Sequence, residues 1–155
     1  MVRNYVGRSL PRIVSQSTGF LLSWVAGDAK HRFEAALGEA GMTAHQLGVL
    51  TALRGGPQMQ ARLSEQLEVF KPVMVTLINE LEAAGWAERR PHPTDRRAVE
   101  VHLLPAGRQM LERADRIMQT TTEEMFSSLT PEERAQLHSV LLRLAGPIAP
   151  EEPAS

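Results

Sequence analysis

Residues 81–107 read LEAAGWAERRPHPTDRRAVEVHLLPAG. The spacing of apolar side chains changes inside this stretch. Before Gly85 it is helical. From Trp86 to Arg90, and again from Ala98 to Leu104, it alternates, with Val99, Val101 and Leu103 set against Glu100 and His102. Alternation over a handful of residues predicts a half-buried strand. Between the two runs lies Pro91-His92-Pro93-Thr94-Asp95-Arg96-Arg97, with two prolines and a turn-forming aspartate. The reading is therefore two short strands around a basic loop, a hairpin, followed at Pro105-Ala106-Gly107 by the start of a helix.

Upstream of the hairpin the pattern predicts two helices with a short link. Leu63 and Leu67 are one turn apart in a helix over about 60–67. A second helix starts near Lys71-Pro72, where proline in the first turn forfeits no hydrogen bond. Met74, Leu77, Ile78 and Leu81 are its buried stripe, and Gly85 ends it. A link of three or four residues suits a helix-turn-helix. A hairpin placed directly after such a pair is the wing of a winged-helix module, spanning 43–104.

On the N-terminal side, Phe20, Leu21, Leu22, Trp24, Val25, Phe33 and Leu37 recur at helical spacing, and Gly38 and Gly41 stop that helix. Thr43 with Gln46 forms a capping-box signature for a second helix striped by Leu47, Leu50 and Leu53. Gly55-Gly56-Pro57 ends it. On the C-terminal side a long helix runs from Pro105 to about Leu129, with Met110, Ala114, Ile117 and Thr121 on one face and Leu111, Met118 and Met125 on the next. Two apolar seams on one helix predict packing beyond its own domain. Thr130-Pro131-Glu132-Glu133 starts the last helix, striped by Leu137, Leu141 and Leu144, which Gly146-Pro147 ends. Residues 147–155 read as a disordered acidic tail. The fold class is mainly α with a small β-hairpin wing (α+β): a winged helix-turn-helix core flanked by N- and C-terminal helices, 1–38 and 106–146.

The 155 residues carry 17 Lys and Arg against 18 Asp and Glu, a net charge of -1, so any nucleic-acid face must be a local patch rather than a basic coat. The wing supplies one: Arg89, Arg90, Arg96 and Arg97 stand against only Glu88 and Asp95. The absence of cysteine removes disulfides, thiolate metal sites and thiol redox chemistry. The most apolar stretch, Gly19 to Gly27, is interrupted by Ser23 and too short to span a bilayer. The expectation is a cytoplasmic protein with no membrane partner. There is no glycine-rich phosphate loop, no nucleophile elbow and no carboxylate pair with a plausible general acid, so no catalytic residue is assigned and no enzyme is expected. His31, His45, His92, His102 and His138 are scattered without ligand spacing, so neither a metal nor a cofactor is assigned.

The run Leu81 to Arg90, the Asp95-Arg96-Arg97-Ala98-Val99 wing and the Leu104-Pro105-Ala106-Gly107 helix start together resemble the MarR family of bacterial transcriptional regulators. The resemblance covers about Leu10 to Leu144. It implies a homodimeric winged-helix regulator of double-stranded DNA that recognises a palindromic operator. The end helices of two copies would interlock as the dimerisation region, here through Leu10, Ile13, Leu137, Leu141 and Leu144. It also implies tuning by a small ligand, often an aromatic or phenolic compound, with a repressor relieved by that ligand as the leading expectation.

Within that frame, residues 71–84 are the recognition helix and 89–98 the wing. Rotation of about 100° per residue puts Pro72, Thr76 and Asn79 opposite the buried stripe, with Val75 on the flank. Asn79 offers the donor–acceptor pair that adenine requires, and valine methyls suit thymine. Lys71 and Arg62 are phosphate candidates. Arg96 and Arg97 suit a narrow minor groove, Arg90 is a further DNA-contact candidate, and the resemblance gives Asp95 the part of fixing the loop. Glu80 would repel phosphates if exposed to them. For the effector crevice the candidates are Phe20, Trp24, His31, His45 and Arg108.

This recognition helix departs from the family pattern. Many members carry Ser where this chain has Phe70, Ser or Thr at Val73 and Val75, and Arg at Thr76 and Glu80. That apolar character keeps an alternative open, a MarR-fold protein-interaction module with weak or no specific DNA binding. A metal-responsive regulator is a further alternative.

Overall fold

A computed structural model describes residues 10–95 and 98–146. The element order is α1 (Arg12–Ser15), α2 (Thr18–Glu39), α3 (Ala44–Ala52), β1 (Gln58–Met59), α4 (Gln60–Gln66), α5 (Lys71–Ala83), β2 (Ala87–Pro91), β3 (Val99–Leu103), α6 (Pro105–Met125) and α7 (Pro131–Ala145). Both capping boxes form. Thr43 Oγ1 accepts from the Gln46 amide at 3.2 Å while Gln46 Oε1 accepts from the Thr43 amide at 3.0 Å. Thr130 and Glu133 make the same reciprocal pair at the start of α7. Each box satisfies helix-end donors that would otherwise lack partners. Helix α6 ends at Met125, earlier than Leu129, because the chain turns at Phe126 into the Thr130 cap.

The wing is a three-stranded antiparallel sheet in the order β1-β3-β2. Arg89 lies opposite Val101 and Arg90 opposite Glu100, while Gln58 pairs with Val101 on the other edge. The two-residue strand β1 is an addition to the expected hairpin. Its two residues, just after Gly55-Gly56-Pro57, are too few to show any period. Gly85 closes α5 with φ +69, a left-handed conformation glycine adopts without strain, and so turns the chain into β2.

One core joins these elements. Val49, Leu50, Leu53, Leu63, Met74, Ile78, Leu81 and Val101 are fully buried, and Leu37 from the end of α2 and Met110, Leu111 and Ala114 from the first half of α6 complete it. The stripe expected on α5 is therefore buried throughout. In α3 the buried residues are Val49 and Leu50, with Leu53 at the cap, and Leu47 only packs against the cluster. The ends of the molecule differ: α1 and α7 bury none of their residues, and α2 buries only Leu37. Large apolar side chains there face outward, among them Ile13 at 67% exposure, Phe20 at 55% and Leu144 at 70%. Among the described residues no helix is long and apolar enough to cross a membrane.

Candidate nucleic-acid interface

Helix α5 is amphipathic, and burial of Met74, Leu77, Ile78 and Leu81 fixes which side it shows to solvent. Lys71, Pro72, Val73, Val75, Thr76, Asn79 and Glu80 are all exposed. The N-cap position is Phe70, 79% exposed, with no side-chain cap hydrogen bond. On α4, Arg62 is exposed as well. The link between the helices tightens through Glu68, which takes φ 52, with the Val69 amide donating to Ser64 O at 3.0 Å.

Behind the exposed face sits Arg89. Its backbone amide donates to Glu82 Oε1 at 2.7 Å, and its Nη1 also reaches the Glu82 carboxylate. The same guanidinium donates through Nη1 to Asn79 Oδ1 at 2.7 Å, through Nη2 to the Val75 carbonyl at 3.2 Å and through Nε to Gln60 Oε1 at 3.1 Å. One side chain of β2 thus fastens α5 and α4 to the wing. An arginine suits this position because its planar fork presents five donors at once.

These contacts revise the sequence expectations for this face. Arg89 is not a solvated wing cation, since its charge is spent on Glu82. Arg90 donates to Glu88 Oε1 at 2.6 Å, so it too is ion-paired, although exposed. Asn79 does not offer its whole amide outward, because its oxygen faces Arg89. Glu80, feared as a repulsive group, accepts a 2.8 Å hydrogen bond from Gln46 Nε2 on α3. Thr76 donates its hydroxyl back to the Pro72 carbonyl at 3.3 Å.

The wing turn is held by a histidine. His92 Nδ1 accepts from the Asp95 amide at 3.1 Å and lies 3.3 Å from the Thr94 amide, so its other nitrogen carries the proton. That nitrogen, Nε2, is 3.4 Å from Glu100 Oε1, and His102 Nε2 is 3.2 Å from Oε2 of the same carboxylate. Among the described residues no group of three or more His, Asp or Glu could hold a metal ion. Asp95 itself is exposed, and its carbonyl accepts from the Ala98 amide at 3.0 Å. Arg96 and Arg97 lie outside the described residues, as do residues 147–155, read from sequence as the tail.

The five effector candidates are not gathered in one crevice. Phe20 and Trp24 line a cavity of about 230 Å³ with Val14, Ser23, Gly27 and Asp28. Trp24 also borders a larger apolar cavity of about 550 Å³ between α2, the end of α6 and α7, where Leu137 and Leu141 lie. Arg108 lines a separate hollow with Arg54, Leu103 and Asp115. His31 and His45 are exposed and border neither cavity. Sequence alone gives Arg89, the residue that organises the interface, only as one charge among four in the wing. The available signal was Glu82 seven positions earlier, but no spacing rule brings a helix carboxylate onto a later strand.

Comparison with known proteins gives this geometry relatives. Residues 40–98 match the model of the MarR family. The multiple antibiotic resistance protein MarR of Salmonella typhimurium is 32% identical over 105 residues, covering 66% of this chain and 73% of that protein. A protein put forward as the transcriptional regulator of the hcr operon in Thauera aromatica is 30% identical over 105 residues, and the chain spans 63% of its length. The crystal structure of apo MarR from Escherichia coli superposes with a TM-score of 0.75 at 26% identity, covering 84% of this chain and 97% of that one. A mutant of the same protein complexed with operator DNA gives a TM-score of 0.65 at 27% identity, over 83% and 93% of the two chains.

Proposed function

The chain belongs to the MarR family of DNA-binding transcriptional regulators, and from that premise we propose that it acts as a homodimer reading a palindromic operator through α5 and the wing. The observation that carries this reading is the face of α5 that stays exposed among the described residues and is braced from behind by Arg89. Lys71 at its first turn serves a phosphate, Val75, Thr76 and Asn79 meet base edges, and Pro72 seats the helix N-terminus against the backbone. Arg62 takes a second phosphate. The wing loop takes the adjacent minor groove through Arg96 and Arg97 of its sequence, with Arg90 on β2 beside it, and Asp95 keeps the loop in shape.

Dimerisation supplies the second half-site. Among the described residues the end helices, within 1–38 and 106–146, leave Ile13 and Leu144 largely exposed and Leu10 and Leu141 partly so. Surface of that kind supports an interface. A two-fold dimer then sets its two α5 helices about 34 Å apart, one turn of the duplex. Repression relieved by a small aromatic or phenolic effector belongs to the same reading. An effector lodged beside Trp24 would change the spacing of the two winged lobes, because α2 reaches from that cavity into the core at Leu37.

A second reading has one observation in its favour. Phe70, Val73 and Val75 form an exposed apolar edge where a protein partner could dock, so that the module works through protein contacts. Mobility shift of the purified protein on its own upstream region, against random duplex at several salt concentrations, separates the two. Specific retention supports the regulator. Equal, salt-labile binding to both duplexes, or none, favours the interaction module.

A further inference from the structure

On α5, Val75 and Asn79 are one turn apart, so their side chains are neighbours on the same flank of the exposed face. Val75 is 40% exposed and brings only methyl groups. Asn79 would ordinarily present both an acceptor and a donor pair. Here its oxygen is held 2.7 Å from Arg89 Nη1. Arginine has only donors, so the oxygen and not the amino group must face it. The guanidinium cannot swing away freely, because Glu82, Gln60 and the Val75 carbonyl hold it as well. The amino end of Asn79 is left for a base. Thr76 spends its one hydroxyl proton on the Pro72 carbonyl, and the Glu80 carboxylate accepts from Gln46 and has no proton to give, so neither adds a second donor beside Asn79.

The pair is therefore a methyl surface next to a hydrogen-bond donor. In the major groove adenine shows an acceptor and an amino donor, cytosine an amino donor, and guanine two acceptors with no methyl. Thymine alone shows a methyl group beside an acceptor, the C5-methyl and O4. We propose that Val75 and Asn79 together read one thymine in each half-site, Val75 packing on its methyl group and Asn79 donating to O4, with Arg89 as the positioning residue that makes Asn79 donor-only. This rests on the reading of α5 as the recognition helix. It replaces the two-bond adenine contact that the asparagine alone suggests.

The test uses the full-length protein and its own best duplex, selected from a random pool. Each thymine of the selected half-site is replaced in turn by deoxyuridine, which keeps O4 and base pairing and deletes only the methyl. Losing one buried methyl group weakens binding about fourfold. The expected result is one position per half-site where deoxyuridine weakens binding by about that factor, and where Val75→Ala abolishes the difference between thymine and deoxyuridine. At the same position Asn79→Ala lowers affinity for both bases alike. The proposal is overturned if no thymine responds, or if the thymine–deoxyuridine difference survives intact in Val75→Ala. If no duplex is retained even at low salt, the DNA-binding reading itself fails and takes this proposal with it.

Discussion

A Cβ atom placed on Gly107 would lie 2.1 Å from the carbonyl oxygen of Trp86. That oxygen already accepts the Leu104 amide at 2.9 Å, so it is pinned, and Leu103 Cδ1 stands only 2.8 Å away on another side. Here the first turn of α6 is pressed against the entry to the wing. In an ordinary helix Gly→Ala adds up to about 1 kcal/mol of stability. Gly107→Ala is expected to do the opposite, costing about 2 kcal/mol or more, since overpacking against backbone cannot be relieved by a rotamer change. Gly48→Ala is the internal control. Its added methyl would meet only Leu67 Cδ2 at 3.9 Å, and this substitution in α3 should be neutral or stabilising. Urea unfolding of the two variants checks both signs, and equal midpoints would refute the argument.

Replacing Arg89 tests the brace. The Arg89 and Glu82 side chains are 23% and 34% exposed, so this is a half-buried pair, weaker than a fully buried one. Arg89→Ala leaves the Glu82 carboxylate, Asn79 and Gln60 each short of a partner. The expected loss is about 1–2 kcal/mol of stability. Arg89→Lys retains the charge but cannot meet four acceptors in one plane, and should recover only part of it. A cycle with Glu82→Gln gives the coupling energy. Strict additivity of the two substitutions would show that the pair contributes nothing beyond its separate members.

Much of this architecture is legible in the chain because local rules agree with one another. Thr43 with Gln46 and Thr130 with Glu133 are cap signatures that need no tertiary context, and both form. The Met74-Leu77-Ile78-Leu81 stripe determines the outward side of α5 by rotation alone. The switch to alternation at Trp86 gives the wing. What escapes is whatever depends on side chains meeting across elements. Nothing in the neighbourhood of Arg89 distinguishes it from Arg90, yet one turns to Glu82, Asn79 and Gln60 and the other stays at the surface with Glu88. The orientation of Asn79 follows from that meeting, so base preference could not be read from residue type. The five effector candidates fail to converge for the same reason, since helical spacing ranks positions on one helix and says nothing of distances between helices.

The turn between α4 and α5 offers a backbone test. Glu68 adopts φ 52, a conformation that costs a non-glycine residue about 1 kcal/mol. Its exposed side chain makes no contact that the turn requires, whereas its amide donates to Glu65 O at 3.2 Å and would do so in any residue. Glu68→Gly should therefore raise stability by a few tenths to about 1 kcal/mol, less the entropy glycine adds to the unfolded chain. Glu68→Val should lower it by more, because branching at Cβ crowds the left-handed region. Thermal unfolding of both variants decides the matter, and the reverse ranking would mean that the turn relaxes to another conformation.

The exposed apolar ends make the last prediction, in which assembly and DNA binding should fall together. Leu144 at 70% and Ile13 at 67% exposure contribute little to the core of a single chain. Ile13→Asp with Leu144→Asp should leave that core intact but place charges where a second copy would pack. Sedimentation should then report a single chain where the unaltered protein sediments as a pair. Operator affinity should drop steeply, because each α5 would bind its half-site without the other. Salt gives an independent reading of the same loss. If a dimer neutralises roughly six phosphates, its affinity falls on the order of a thousandfold between 50 and 200 mM salt. A single chain touching about half as many should lose only about thirtyfold over that range. Should the double variant keep both its paired mass and the steep salt dependence, the end helices are not the interface.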